Sequence, residues 1–411
     1  MQHKHGRWQL FAILAFMYIL VYFYRVSMAV VASDLSRDLN LDAKQLGILA
    51  GVLFYIYALA QLPLGPLIDR LGGRKVISFC GLLTASGGFL FATAQNAATA
   101  MLGRALIGIG TAAVLMGAFA IYSRWYSKSE FGKISGLMVA VGNLGNLAGT
   151  APLALLVGIT GWRAVFSGIA LLQLLATLLV FWLVRDLPPK AESKPKEQPE
   201  PEPARPDMLT AWRSIARDRS FWLLSFIAFG WYGNYLAVQG LWGGPYLMEV
   251  FGMSREAAGK ILIWTSIGFI MGSVVIDNIA RRVFRSYKWT LFTGQLFLLL
   301  LMTGFQGWLD SLSPLLLSVY FLLLGFAVAS GIMIYPIIRN SFPLGIVGTA
   351  LTSLNFFVLL GAATVQHTMG LLLQNAGGYS PAALHYAFAL PPSILFIALL
   401  FYSTAKNCPA K

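Results

Sequence analysis

GPLIDRLGGRK, residues 65–75, places Asp69, Arg70, Arg74 and Lys75 within seven residues, directly after an apolar run. The chain around it has 411 residues, 57% of them hydrophobic and only 11% charged. A soluble globular domain carries about 25% charged residues. Apolar runs of about 20 residues, long enough to cross a hydrocarbon layer, recur along the whole length. The composition therefore defines an all-α membrane protein whose charges are concentrated in loops. The net charge of +14 belongs to those loops and does not mark a nucleic-acid partner. Two cysteines, Cys80 within a span and Cys408 in the tail, form neither a disulfide framework nor a metal or redox site. The first apolar run lacks a small-residue cleavage site after it and is expected to be retained.

Breaks at charges, Pro and Gly divide the chain into twelve spans: 8–32, 44–68, 74–95, 99–123, 132–158, 163–185, 220–248, 256–279, 288–308, 313–338, 345–372 and 381–405. Between the sixth and seventh lies DLPPKAESKPKEQPEPEPARPD, too poor in apolar residues to order itself. It divides the chain into an N-terminal six-helix bundle (1–185), a cytoplasmic linker (186–219) and a C-terminal six-helix bundle (220–411). MLTAWRSIARDRS, which follows the linker's charged core, has the pattern of a short amphipathic surface helix. With the N-terminus inside, 23 of the 30 Lys and Arg lie on the cytoplasmic side and 5 outside, Arg25 and Arg104 being within spans. The positive-inside rule puts both termini and the linker in the cytoplasm.

The opening stretch has a degenerate echo, SVVIDNIARR, after the eighth span, with Asp277 in the place of Asp69. Tyr122 precedes Gly132 by the same interval as Tyr335 precedes Gly345. Such repeats fit a duplicated six-helix unit, common in secondary transporters. The pattern Gly65-x-x-x-Asp69-Arg70-x-Gly72-x-Arg74-Lys75 resembles the signature loop of the major facilitator superfamily at every position. Together with the twelve spans and the central linker, that resemblance covers essentially the whole chain. It implies the major facilitator fold and a gating role for Asp69, Arg70, Arg74 and Asp277. The aspartate is expected at a helix end, near basic groups and a helix N-terminus, where a carboxylate is favoured. Arg104-x-x-x-Gly108-x-Gly110 is similar to the superfamily's second motif, and Arg104 is grouped with the gating residues. It either struts the fourth span by bonding carbonyls of the first or fifth, or shares anion binding with Arg25. Gly142, Gly145 and Gly149 form a close-packing stripe on the fifth span. Gly145-Asn146 stands where the antiporter motif has Gly-Pro, which weighs against a drug/proton antiporter.

Arg25 lies deep in the first span, where a charge is costly and normally faces a cavity or a partner. Its planar fork suits a carboxylate or phosphate. Tyr18, Tyr22 and Arg25 share one helical face. The competing reading is an arginine snorkelling to headgroups above interfacial tyrosines. The first five spans resemble the organic-anion and organophosphate branches. There a first-span arginine, with tyrosines one and two turns before it, forms part of the substrate site. The seventh-span arginine that completes a phosphate clamp in that branch is absent here, so a monoanion such as a carboxylate is favoured. The anion–cation symporter branch typically has Asp-Arg in the first span and a glutamate seven residues after the fourth-span arginine. Tyr24-Arg25 and Thr111 stand there instead, and no Asp or Glu lies at the middle of any span. His367 is the remaining candidate for proton coupling, with a hydrogen-bonded structural group beside Gln366 as its rival.

In the seventh span Tyr232, Tyr235, Gln239 and Trp242 form one stripe, with Asn234 beside it. Gly243-Gly244-Pro245 is expected to break that helix as a hinge or a packed kink. Asn143, Trp264, Tyr335 and Asn355 are further polar candidates. The expectation is a secondary transporter of a small organic anion, by proton symport or anion exchange, monomeric in a bacterial inner membrane and without cofactor. The rivals are an exporter of hydrophobic or cationic compounds, which would call for an acidic cavity residue, and a transport-dead sensor. No nucleophile–base, metal or phosphate-loop pattern suggests an enzyme.

Overall fold

The computed structural model describes residues 2–41, 43–149, 151–188, 208–376 and 380–410. The charged core of the linker, 189–207, lies outside them. Among the described residues the fold is all helix. Eleven helices among the described residues are long and apolar enough to cross a membrane. The twelfth span, the fifth in chain order, is present in three pieces.

The first four spans are α1 (Gln2–Leu39), α2 (Ala43–Leu71), α3 (Gly73–Ala92) and α4 (Ala97–Trp125). The α1 helix runs past the expected end of its span. The fifth span divides into α5 (Lys128–Gly142), α6 (Leu144–Ala148) and α7 (Ala151–Thr160). The breaks fall where the glycine stripe weakens the helix. Asn143 and Asn146 join their side chains across the first break at 3.0 Å. Pro152 sits in the first turn of α7, where its missing N–H costs nothing. The sixth span is α8 (Trp162–Leu183).

After the linker come α9 (Met208–Arg217) and α10 (Arg219–Leu236), which passes through a π-helical turn, Ala237–Trp242, into α11 (Gly243–Phe251). Then follow α12 (Arg255–Arg282), α13 (Tyr287–Thr303), α14 (Pro314–Ala329) and α15 (Ile334–Ser341), the last two joined by a 3₁₀ turn. The chain closes with α16 (Val347–Asn375), α17 (Pro381–Ala387) and α18 (Leu390–Ser403). Caps predictable from sequence start many of these helices. Asn96, Asp218, Ser254, Ser286, Ser313 and Ser380 each accept the backbone N–H three residues on. Pro314 and Pro381 then occupy the first turn.

Two compact units result. The first contains residues 1–127, 141–212 and 342–353; the second contains 128–140, 213–341 and 354–411. In the first, α3 packs on α4 and α8, and α2 on α4. Its densest aromatic cluster is Phe23, Tyr24, Phe91, Trp162 and Phe166, with Phe91 and Phe166 centroids 4.9 Å apart. In the second, α12 packs on α14, and α10 on α18. There Phe305 stacks on Phe388 at 4.7 Å, with Tyr246 against both. Large apolar side chains such as Leu155, Ile159, Leu171, Trp182 and Leu400 are exposed, as expected of surfaces that face lipid tails.

Candidate functional site

In the first unit, the Arg25 guanidinium lies over the Tyr22 ring at 5.1 Å and the Tyr57 ring at 4.7 Å. Arg25 is half-buried, whereas Tyr18, Tyr22 and Tyr57 are buried. Tyr18 and Tyr22 meet edge to face at 4.9 Å. The pair sits against the fifth span, where a Cβ added at Gly142 would strike the rings of both tyrosines. A side chain at Gly145 would strike the Ile19 carbonyl. The glycine stripe thus admits the tyrosines of α1. Asn143 is buried at the end of α5 and accepts from Asn146. Tyr57 is the neighbour that sequence reading missed. It lies in a largely apolar stretch of α2, and only packing brings it to Arg25.

In the second unit, the seventh-span stripe occupies a widened turn. Tyr232 and Tyr235 lie 5.7 Å apart, and Tyr235 packs on Phe269. Gln239 donates to Ser266 Oγ at 3.1 Å. Trp242 Nε1 donates to the Gln366 carbonyl at 3.2 Å, while Gln366 Nε2 donates to the Leu236 carbonyl at 2.8 Å. The sequence placed the irregularity at Gly243-Gly244-Pro245; the structure places it one turn earlier, at Ala237–Trp242. Pro245 has no N–H and crowds the carbonyl four residues before it, so the strain appears upstream. Such π turns are frequent at functional sites. Asn234 is fully buried and donates to the carbonyls of Gly230 and Pro391, both at 2.8 Å, pinning α10 to α18. Asn355 and Tyr335 are buried, His367 is exposed on α16, and Trp264 is partly exposed.

The signature stretch ends α2 and opens α3. Asp69 is buried and accepts three hydrogen bonds from the start of α16: Gly348 N–H at 2.9 Å, Thr349 N–H at 2.7 Å and Thr349 Oγ1–H at 2.6 Å. The carboxylate meets unsatisfied donors and the positive end of the dipole together. Gly65 permits this approach: a Cβ there would lie 2.7 Å from the Thr349 Cα. Gly72 has φ +89° and precedes α3 without a side-chain cap. The cap comes instead from Asp186, beyond the sixth span, which accepts the Arg74 N–H at 3.0 Å. In sequence Asp186 looks like linker charge, and nothing marks it as a partner of residue 74. The Arg74 guanidinium lies 5.9 Å over Phe181, and Arg70 is exposed.

In the second unit Asp277 accepts from Arg281 Nε at 2.8 Å, and Arg281 Nη2 donates to Tyr287 Oη at 2.8 Å. A Cβ at Gly132 would collide with the Asp277 carboxylate. The echo therefore also meets a glycine in the first turns of a helix, here α5. Arg104 is completely buried and donates through Nη1 to the Tyr24 carbonyl at 2.9 Å. Of its two sequence readings, the strut to the first span describes this bond. Thr111, where the symporter branch has glutamate, returns its hydroxyl to the Ile107 carbonyl at 2.7 Å.

A family model described as Major Facilitator Superfamily matches residues 14–366. A Bacillus subtilis (strain 168) protein described as an uncharacterized transporter is 27% identical over 309 residues, 69% of this chain and 68% of that protein. A Cupriavidus necator protein described as a probable sulfoacetate transporter is 25% identical over 295 residues, 68% of this chain and 67% of that protein. Among solved structures, that of a proton:xylose symporter bound to 6-bromo-6-deoxy-D-glucose superposes with a TM-score of 0.76. It does so at 14% identity, over 100% of this chain and 98% of that one. This last likeness is one of fold.

Proposed function

The chain belongs to the Major Facilitator Superfamily and is a multi-pass secondary transporter; from that premise we propose that its substrate is a small organic anion bound through Arg25. The observation that carries this reading is the guanidinium in the interior of a span, flanked by the rings of Tyr22 and Tyr57. The two rings flank the guanidinium, whose planar N–H edge has the geometry to recognise an anion. A carboxylate or sulfonate meets that edge with two oxygens. The relative named for sulfoacetate, a sulfonate with a carboxylate, supports the same chemistry. In the first unit Tyr18, Tyr22 and Asn143 are the further candidate ligands. In the second unit the candidates are Tyr232, Tyr235, Gln239, Trp242 and Asn355.

The two six-helix halves, 1–185 and 220–411, alternate access to that substrate. Asp69 acts as a breakable helix cap and Asp277 as half of a breakable ion pair with Arg281, with Arg70, Arg74 and Arg104 supporting the first half. Its short loops and basic tails suit a bacterial inner membrane, and the lysine and arginine asymmetry supports cytoplasmic termini. Coupling is by proton symport or anion exchange. With no carboxylate at mid-span, the transported acid itself can bring the proton; His367 is the alternative carrier.

The test is uptake into proteoliposomes of a panel of short carboxylates, hydroxy acids and sulfonates, by wild type and Arg25→Lys. Lysine keeps the charge but loses the fork, so kcat/KM is expected to fall by about 10–100-fold with folding unchanged. Uptake of no anion, or uptake indifferent to the substitution, overturns the reading.

A further inference from the structure

Arg104 carries a full charge in the interior of the first unit, and among the described residues it has a single acceptor, the Tyr24 carbonyl. Its Nε and Nη2 are buried and have no acceptor among the described residues. The hydroxyl of Tyr24 is buried likewise, also without a partner. Glycine contacts place both groups at one level of the unit. The Tyr24 hydroxyl faces Gly88 on α3, where an added Cβ would lie 2.9 Å from it. The adjoining Gly87 packs on Gly103 and Ile107 of α4, the turn that carries Arg104. Phe23, Phe91, Ile107 and Phe166 make the surroundings apolar.

Such a group is costly as it stands. Arginine stays protonated in proteins, and a buried charge without a counter-charge is strongly unfavourable. No carboxylate forms an ion pair with Arg104 among the described residues. An internal water can accept from two of these donors but leaves the charge uncompensated. A small monovalent anion accepts several donors and also neutralises the charge.

We propose that Arg104 and Tyr24 form a binding site for a small inorganic monoanion of the halide class, buried among α1, α3 and α4 and separate from the transport substrate. Its role is to neutralise the charge that ties α4 to the middle of α1. Arg104 is thereby neither a moving gate nor part of the Arg25 clamp. The site goes beyond the substrate reading, and either can fail without the other.

The experiment follows thermal unfolding of the purified full-length protein, without substrate, as chloride replaces gluconate at constant ionic strength. A ligand bound by the native state raises apparent stability with saturation. Wild type is expected to show a saturable rise, reproduced by bromide. Tyr24→Phe removes one donor and keeps the ring; half-saturation is expected at about tenfold higher chloride, the equivalent of one hydrogen bond to an ion. Arg104→Gln is expected to lose the response. If that variant does not fold, Tyr24→Phe and a bromide anomalous signal beside Arg104 carry the test. Arg25→Gln is expected to keep the response, which separates this site from the substrate site. Identical unfolding in chloride and gluconate would mean water alone fills the site and would overturn the proposal. So would a response that Tyr24→Phe leaves unchanged, or one that only Arg25→Gln abolishes.

Discussion

Replacing Asp69 with asparagine changes little volume but removes the charge and one of the two acceptor oxygens that hold the start of α16. The carboxylate takes the Gly348 N–H on one oxygen and both Thr349 donors on the other. Asparagine can keep the Thr349 pair on its carbonyl, but it then presents an amide N–H₂ to the Gly348 N–H. One hydrogen bond to a charged group is lost, worth about 1.5–3 kcal/mol. The two that remain lose their charge assistance, and the interaction with the helix dipole, about 0.3–1 kcal/mol, disappears. Against this, a neutral amide is cheaper to bury than a carboxylate. The balance is a weakening of about 2 kcal/mol, or about 30-fold in the equilibrium between capped and uncapped α16. Amide hydrogen exchange in nanodiscs reads this directly, because opening of the cap exposes the Gly348 and Thr349 amides. In Asp69→Asn their exchange is expected to accelerate about 30-fold, with α10 amides unchanged and substrate affinity still measurable. Unaltered protection at residues 348 and 349, or equal acceleration throughout α10, would refute the capping argument.

Gly72→Ala and Gly161→Ala both force a side chain into positive φ, at +89° and +78°, a strain of about 1–3 kcal/mol. Only Gly72 has a neighbour, the Asp186 carboxylate 2.5 Å from an added Cβ. Thermal unfolding is therefore expected to show the larger loss at residue 72, with Asp186→Ala narrowing the gap. Gln366→Leu deprives the Leu236 carbonyl of its side-chain donor, and exchange over Ala237–Trp242 is expected to rise by about tenfold. Near the C-terminal end of α1, hydrogen bonding from the Trp162 indole, joined by Arg163 and Arg37, holds the Asp38 carboxyl below its usual range. A carboxyl depressed in the folded state stabilises it above the unfolded value, near 4, and loses that contribution as pH falls through the folded value. Indole fluorescence in Trp162 is expected to report release of this clasp only below about pH 4, with the transition absent in Asp38→Asn.

Membrane class, the number of spans and most helix starts were legible in the chain, because they rest on local quantities. Apolar length decides whether a run can cross a bilayer, and serine, asparagine or aspartate three residues before a free N–H decides where a helix can begin. The stripe Tyr18–Tyr22–Arg25 was legible for the same reason, since helical periodicity fixes a face. The broken fifth span and the π turn upstream of Pro245 were not. A glycine stripe reads equally well as an intact packing face, and the site of helix distortion depends on which carbonyls neighbours such as Gln366 can satisfy.

The sequence by itself determined what kind of molecule this is and which charges must answer for lying in or beside apolar spans. Tertiary structure alone decided who answers them. Asp69 finds Gly348 and Thr349, Asp186 finds the backbone N–H of Arg74, Arg25 finds Tyr57, and Arg104 finds the Tyr24 carbonyl. These partners lie tens to hundreds of positions apart. Spacing along a chain carries no information about such encounters, because they arise only when whole helices pack and bury the groups together.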